Sequence, residues 1–577
     1  MGFQEYAWAL FFEKDFLKTK VLVTPKYQFP KLIRRNESFD VILPEPIFNT
    51  NMDGEETLHF AGYIFPSDDL GKRQLASVFR AAVFHLGAHV ATSHFEDYDE
   101  WRRNKDSRLA KFAISLVEDV IANAYISAWY PDKLVDLALA NTLAFTKMRP
   151  AKKIQNPATR LMAELLAKVH IGALEPQLET EKDILASLSE ALKQFKENVL
   201  LSFTDESIKL KDEKLKLADR IYNAVEESGP VTESPSLPHT EELGKTSLFP
   251  QRKIVNFDVS SDHNFKNCLE FLGGSISTIE DADQTWKKVA ENEAIQVYES
   301  LKRQKEKEEK TLSRYQNLTM LTRFKSVEFP ERDYTEFLRI KSRCKSEAHR
   351  LIESLLVARD AIDEDPRKMY GVLDLQDVIQ VIASKNPRMD VFMLDENISK
   401  SYSWIILLDA SRSMEIVKDF ALEIFLILAE TANELLLDAA SWAMYAFNDR
   451  FFVIKDLKER YNVNVKSRMG GIDFAGLSYL PDALNIAGQI IKTRTENLRL
   501  ITLISDGWPY GYPNINIALT EALNTLQNGK IDVVGIGVQT QKMDALFKNH
   551  CAVYTHRDLT KKFANTYMEL SRIAIES

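Results

Sequence analysis

The chain has 577 residues, too many for one ordinary hydrophobic core, so it is expected to divide into two to four domains. Apolar residues make up 45% and charged residues 27%, the balance of a soluble globular protein, and a formal net charge of −10 offers no global basic surface for nucleic acid. Only three cysteines occur, Cys268, Cys344 and Cys551, without C-x-x-C spacing, which argues against a disulfide framework and a cysteine zinc site and fits a reducing compartment.

The opening "MGFQEYAWALFFEKDFLKTK" has a short apolar run but carries Glu5, Glu13 and Asp15 with no basic segment before it, unlike a signal peptide. Tyr6 stands where a myristoylation sequence needs Ser or Thr. No apolar stretch approaches the ~18 residues of a membrane span, so a cytoplasmic chain without membrane insertion is expected.

Residues 17 to 66 hold short β-prone pieces such as "KVLVTPKY" and "LHFAGYIF", split by prolines and an Asn-Met-Asp-Gly turn. From 72 to 200 the spacing is helical, as in "LVDLALANTLAFTKM" and "ATRLMAELLAKVHIGALE". Residues 1–202 therefore read as one mainly helical N-terminal domain.

Within it, "VFHLGAHVATSH" places His85 and His89 four residues apart on one helix face, with Glu118 on a later helix to supply an acid. Two histidines at that spacing and a later acid are the ligand pattern of a zincin-type metallopeptidase. Leu86, however, stands where such an enzyme carries its general-base glutamate, leaving the metal-bound water no proton acceptor. The alternatives are packing or capping histidines, a non-catalytic metal site, and a peptidase.

Residues 203–260, with "EESGPVTESPSLPHTEELGKTS", collect Pro, Ser, Glu and Gly and read as a flexible linker. Residues 261–395 read as a helical connector, with the charge-dense "WKKVAENEAIQVYESLKRQKEKEEKTLSRY" as a solvated helix face and the amphipathic "FLRIKSRCKSEAHRLIESLLVARDAI" beside it.

Residues 396–577 change character. "WIILLD", "SWAMYAF", "RFFVIKD", "LRLITLISD", "IDVVGIGV" and "CAVYTH" alternate with helical stretches over 414–437, 481–493 and 515–528 and a closing helix. This predicts an α/β domain, a mostly parallel, doubly wound Rossmann-like sheet with helices on both faces. In such sheets ligands bind beyond the carboxyl ends of the strands. "SWIILLDASRSM" delivers Asp409, Ser411 and Ser413 there, Ser478 lies in the loop before "YLPDALNIAG", and Asp506 ends "ITLISD". Two carboxylates and three hydroxyls make a hard oxygen site suited to Mg²⁺. The alternative is that Asp409 and Asp506 merely cap helices. Trp442, Tyr445 and Phe447 read as sheet core, whereas Trp508, Tyr510 and Tyr512 of "GWPYGYP" follow Asp506 in a Gly/Pro loop and are candidates for partner contacts.

"LLDASRSM", the downstream Ser478 and "ISDG" resemble the metal-ion-dependent adhesion site of von Willebrand factor A domains, over about residues 400 to 575. The resemblance implies Mg²⁺ or Mn²⁺ on Ser411 and Ser413 as direct ligands, with Asp409 and Asp506 at the acidic positions. Ser478 stands where the family usually has Thr, which retains an oxygen. "YAFNDRFFVIKDLKERY", "GLSYLPDALNIAG" and "LRLITLISDGWPYGY" are similar to the NorD/CbbO group of cytoplasmic von Willebrand A proteins. That resemblance implies a non-catalytic adaptor that docks a MoxR-type AAA+ ATPase and a target enzyme for activation, remodelling or cofactor insertion. No G-x-x-x-x-G-K-[ST] loop occurs, so ATP chemistry would belong to the partner. The competing classes are the metallopeptidase on the His85 helix and an interaction scaffold with a structural metal.

Overall fold

The computed structural model describes residues 3–274 and 303–576, apart from 13–14, 16–17, 36–37, 51–55, 151–152, 173–178, 206–209, 245, 250–252, 256–257, 304, 371, 386, 396–401, 437, 497 and 508–510. The chain divides into two compact units, Met1–Gln304 and Lys305–Ser577.

In the first unit, α1 (Phe3–Leu10) precedes six strands made by the β-prone pieces. β1 (Thr19–Thr24), β2 (Lys31–Arg35) and β3 (Ser38–Pro44) form one sheet in the order β1-β3-β2. β4 (Ile47–Thr50), β5 (Glu56–Phe60) and β6 (Tyr63–Pro66) form another, completed by the short β7 (Lys253–Ile254) parallel to β6.

The centre of this unit is α2 (Asp69–Thr92), started by Asp68, whose carboxylate accepts the Gly71 N–H at 2.7 Å. By length and composition α2 is apolar enough to cross a membrane, which the reading of the sequence did not expect, yet most of it is buried within the unit. α3 (Ser107–Trp129) and α4 (Leu134–Lys147) pack along it. A buried bidentate pair fixes α2 to α4: Arg80 donates to both oxygens of Asp136 at 2.9 and 2.8 Å, and the Ser77 hydroxyl donates to the same carboxylate.

A second helical core joins α3 to α5 (Pro157–His170), α6 (Glu179–Ser202) and α7 (Lys211–Ser228). Here the expectation of a flexible linker over 203–260 is corrected. Leu217, Ala218, Ile221, Tyr222 and Val225 of α7 recur at helical spacing and are buried in that core. Downstream, Leu237, Leu248 and Phe249 are buried with Ala144, Met148, Ile154 and Ala163. Pro, Ser and Glu mark the lack of regular structure after Ser228, while the few apolar residues among them anchor the segment.

The helical connector expected over 261–395 is likewise divided: α8 (His263–Leu272) packs in the first unit, and the chain from Lys305 belongs to the second. There α9 (Tyr334–Asp363) buries Phe337, Ile340, Cys344, Ala348, Leu351 and Leu355, a stripe at three- and four-residue spacing. Residues 364–395 make a small three-stranded sheet and a helix, Leu375–Ser384, in which no residue is buried.

The second unit is a three-layer α/β structure. Its strands are β8 (Val327–Glu328), β9 (Tyr402–Asp409), β10 (Trp442–Phe447), β11 (Phe451–Lys455), β12 (Leu498–Ser505), β13 (Asp532–Val538) and β14 (Asn549–Val553). They lie in the order β14-β13-β12-β9-β10-β11-β8, and the β10–β11 pair alone among them is antiparallel. Alternate side chains serve opposite cores. Trp404, Ile406, Leu408, Trp442 and Met444 face α9, α10 (Lys418–Leu435), α11 (Val463–Gly470) and α14 (Ala564–Glu576). Ile405, Leu407, Tyr445 and Phe447 face α12 (Leu480–Ile491), α13 (Ile515–Asn528) and Tyr315. Tyr445 donates to the Tyr315 oxygen at 2.6 Å, and Tyr315 donates to Asp456 at 2.6 Å, so residues before the strands complete the core.

A chain cut to 396–577 lacks the α9 stripe and Tyr315 and is expected to lose cooperative thermal unfolding, whereas 305–577 melts in one transition. In 305–577, Phe337→Ala is expected to cost about 3–5 kcal/mol, read by urea unfolding, because it empties a fully packed position.

Candidate functional site

The sheet order turns around at β9. After β9 the chain moves to β10 and β11 on one side, then returns to β12 on the other and continues to β13 and β14. Connections therefore leave neighbouring parallel strands in opposite directions and open a crevice at their carboxyl ends. β9 and β12 run in register, Leu408 beside Ile504, so Asp409 and Ser505 emerge together.

Backbone bonds hold the two contributing loops. Ala410 N–H donates to Phe447 O at 2.8 Å, Ala475 N–H to Ala410 O at 3.0 Å, and Arg412 N–H to Gly476 O at 3.2 Å. Gly476 has φ +70°, and a Cβ there would meet the Asp449 carboxylate at 2.6 Å. This brings Ser478 to Asp409 across a separation of 69 residues: its hydroxyl donates to Oδ2 at 2.9 Å. The Ser505 hydroxyl donates to the same oxygen at 2.9 Å, and Ser411 N–H donates to Oδ1 at 3.0 Å. The hydroxyls of Ser411 and Ser413 stand 3.2 Å apart. Asp506 follows Ser505 and is nearly buried, and Gly507, at φ +76°, turns the chain away with its N–H on the Ser505 hydroxyl at 3.2 Å.

Asp409, Ser411, Ser413 and Ser478 thus meet, and Asp506 adjoins them through Ser505. Ser505 was not singled out in the sequence. The available signal was a hydroxyl in the last position of the strand, immediately before Asp506. Asp409 is wholly buried, and burial pushes its carboxyl from the ordinary 3.8 up to about 6, against the opposing bonds from Ser411, Ser478 and Ser505.

Of the loop aromatics, Trp508 and Tyr510 lie outside the described residues. Tyr512 is half-buried, edge-on to Tyr479 with centroids 6.0 Å apart, and the Arg323 guanidinium sits 4.2 Å above its ring. Trp442, Tyr445 and Phe447 are fully buried, Trp442 on one face of the sheet and the other two on the opposite face.

In the first unit, His85 and His89 of α2 do meet an acid, but it is Asp119 and not Glu118. One residue along α3 turns the side chain by about 100°. Glu118 instead accepts from Tyr98 at 2.9 Å and pairs with Lys214 at 3.4 Å. His85 Nε2 and His89 Nε2 are 3.0 Å apart, and Asp119 Oδ1 is 3.3 and 3.0 Å from them. His170, the last residue of α5, contacts Asp119 Oδ2 at 3.1 Å. Burial pushes His85 down to about 4. Burial opposes the charge on His89 too, but its bond to Asp119 prevails and raises it. Burial would raise Asp119, yet its bonds with the three histidines hold it well below the usual range.

No family model matches this chain, and no curated protein matches it. Among solved structures, the chain is similar to a point mutant of the PilB minor pilin from Streptococcus sanguinis, 11% identical over 32% of this chain and 67% of that one, with a TM-score of 0.24. It is also similar to the RO (RSR) protein of Deinococcus radiodurans, 12% identical over 82% of this chain and 94% of that one, with a TM-score of 0.20. At such TM-scores neither likeness carries an argument about this chain.

The raised Asp409 carboxyl gives a signed pH dependence. Stability from its neutral form is complete below pH 3.8 and lost as pH rises through about 6. In EDTA, wild type should therefore lose stability relative to Asp409→Asn between about pH 4 and about pH 7, on the order of 3 kcal/mol by urea unfolding. A gap that does not change with pH would contradict the burial-driven shift.

Proposed function

We propose that the chain is a cytoplasmic adaptor whose second unit is a von Willebrand A domain of the NorD/CbbO kind, coupling a MoxR-type AAA+ ATPase to a target enzyme for its activation, remodelling or cofactor insertion. The observation that carries this reading is the convergence at the switch point: the Ser411 N–H and the hydroxyls of Ser478 and Ser505, from three separate segments, all donate to Asp409, and Asp506 follows Ser505 in the chain.

The donors are all oxygen, which suits Mg²⁺ or Mn²⁺ and disfavours copper and zinc. Ser411, Ser413, Ser478 and Asp506 would hold the ion. Asp409 acts behind them: by accepting a hydrogen bond from the Ser478 hydroxyl it leaves that oxygen's lone pairs free to bind, and by accepting one from the Ser411 N–H it fixes the loop. When bound, the ion supplies a Lewis-acidic point that a partner's carboxylate can complete. The bonds around Asp409 leave it no role as a general base, since one oxygen accepts an N–H and the other two hydroxyls. That favours gripping over catalysis, with ATP hydrolysis supplied by the partner. Within the length that read as a tether, residues 211–228 form a packed helix and Leu237, Leu248 and Phe249 are buried, so these parts act as folded structure.

Calorimetry is expected to show Mg²⁺ binding to wild type that disappears in Ser411→Ala/Ser413→Ala. Ser411 is buried and its hydroxyl stands 3.2 Å from that of Ser413, so the double variant should still fold but lose about 0.5–1.5 kcal/mol, the net worth of a typical hydrogen bond. An AAA+ ATPase identified by mass spectrometry should co-purify in Mg²⁺ and ATP and be lost in EDTA and in the double variant. Equal Mg²⁺ binding by both proteins would overturn the metal site, and a Mg²⁺-binding protein that retrieves no ATPase would overturn the adaptor reading.

A further inference from the structure

We infer that His85, His89, Asp119 and His239 are the ligands of a buried structural zinc site in the first unit, separate from the oxygen site of the second. Three facts lead there: the spacing of three ligand atoms, the proton count among them, and the state of His239.

The atoms His85 Nε2, His89 Nε2 and Asp119 Oδ1 form a triangle with edges of 3.0, 3.0 and 3.3 Å. A tetrahedral zinc with bonds of ~2.0–2.1 Å to imidazole nitrogen and carboxylate oxygen has ligand–ligand edges of about 3.3 Å. The point equidistant from the three atoms lies about 1.8 Å from each, so an ion at bonding distance stands slightly out of their plane, toward a fourth ligand.

No arrangement of protons satisfies that triangle. Each Nε2 is either a donor or an acceptor, and Asp119 Oδ1, in its ionised state, only accepts. If both nitrogens carry protons, two donors face each other at 3.0 Å. If one carries a proton, the lone pair of the other faces the carboxylate oxygen. If neither does, all three edges join acceptors. A cation at the centre turns three acceptor contacts into three bonds. The surroundings favour that state. His89 Nδ1 is 3.0 Å from the Ser93 hydroxyl, and an Nδ1–H donated there leaves Nε2 as a free lone pair. His170 Nε2, donating to Asp119 Oδ2 at 3.1 Å, occupies the other carboxylate oxygen and holds Oδ1 toward the histidines.

His239 is assigned the fourth position. It is fully buried, and neither ring nitrogen has a hydrogen-bond partner among the described residues. Its ring centroid is 6.5 Å from that of His85, whereas two imidazoles on one tetrahedral zinc have centroids about 5 Å apart, so His239 moves inward by about 1 Å or more on binding. Two buried polar nitrogens without partners are costly, and metal ligation removes the penalty from one of them. With His239 drawn in, the imidazole-rich set with one carboxylate is borderline in softness, and four protein ligands mark a structural site. The ion would pin α2, α3 and the irregular segment after α7 together. That segment has little regular backbone bonding of its own, which gives the site its purpose. With the interior closed and Leu86 where a general base would stand, peptidase chemistry is not part of this assignment.

The test uses the full chain. Purified with zinc and washed with a weak chelator, wild type is expected to retain about one zinc ion per chain by elemental analysis, with an absorption-edge spectrum of four light ligands, mostly imidazole. After stripping, added Zn²⁺ should raise the melting temperature, and Co²⁺ should give the visible absorption of a tetrahedral ion. His239→Ala and Asp119→Asn should lose the ion. His170→Ala should weaken binding about 10–100-fold, as loss of an orienting partner does. Ser411→Ala should keep the zinc, which separates this site from the one on the sheet rim. Folded wild type that binds no zinc and whose melting temperature does not respond to it would overturn the site, even if every variant failed to fold. Zinc retained at full affinity by His239→Ala would remove His239 from the ligand set.

Discussion

One buried carboxylate organises the rim of the second unit. Removing a carboxylate from water is costly unless donors replace the water. The donors Asp409 receives come from the turn after its own strand, from the loop before α12 and from the end of β12. Satisfying the charge and assembling the rim are therefore one event. If Ser478 or Ser505 moved away, Asp409 would be left short of a donor, at a penalty of about 1–3 kcal/mol, so the loops are held by the group they surround.

That carboxylate is where it is because of the sheet beneath it. Leu408 and Ile504 lie side by side on parallel strands, and the residues that follow them, Asp409 and Ser505, come out at one edge. The register is defended by two cores at once: a slip of one residue in β9 would exchange Trp404, Ile406 and Leu408 with Ile405 and Leu407. Trp404 adds a specific lock, donating its indole N–H to the Thr502 hydroxyl on β12 at 2.9 Å, a bond available in this register alone. The precision of the rim is thus inherited from apolar packing deeper in the sheet.

The strands of the second unit and their helices were legible because the period of two and the alternation with amphipathic helices are strong local signals. Asp409, Ser411, Ser413 and Ser478 were legible because topology alone sends them to one edge. What was not legible depended on long-range contacts. Composition made residues 203–260 look like a linker, but a few buried groups such as Tyr222, Leu237 and Phe249 suffice to fasten a polar segment. The α9 stripe was visible as an amphipathic pattern, yet nothing in a single sequence says which sheet a helix will cover. Glu118 and Asp119 are adjacent, and the choice between them depends on the rotation of α3 against α2, which spacing within α2 cannot reveal. His239 and His170 lie far from His85 in sequence and carry no motif at all.

The two clusters also differ in a way that keeps their chemistry apart. The rim offers hydroxyls and carboxylates on a turn between strand and helix, partly open at Ser413, where a hydrated cation can exchange water for a partner's oxygen. The histidine cluster offers imidazole nitrogens that are buried within the first unit. Affinity order alone would send zinc to either set ahead of magnesium. Geometry and ligand softness divide them instead: imidazoles at tetrahedral spacing favour zinc, and an all-oxygen set that leaves room for water favours magnesium. Under the two proposals, an exchangeable docking ion and a structural ion would coexist in one chain because each would meet the oxygen or nitrogen donors suited to it.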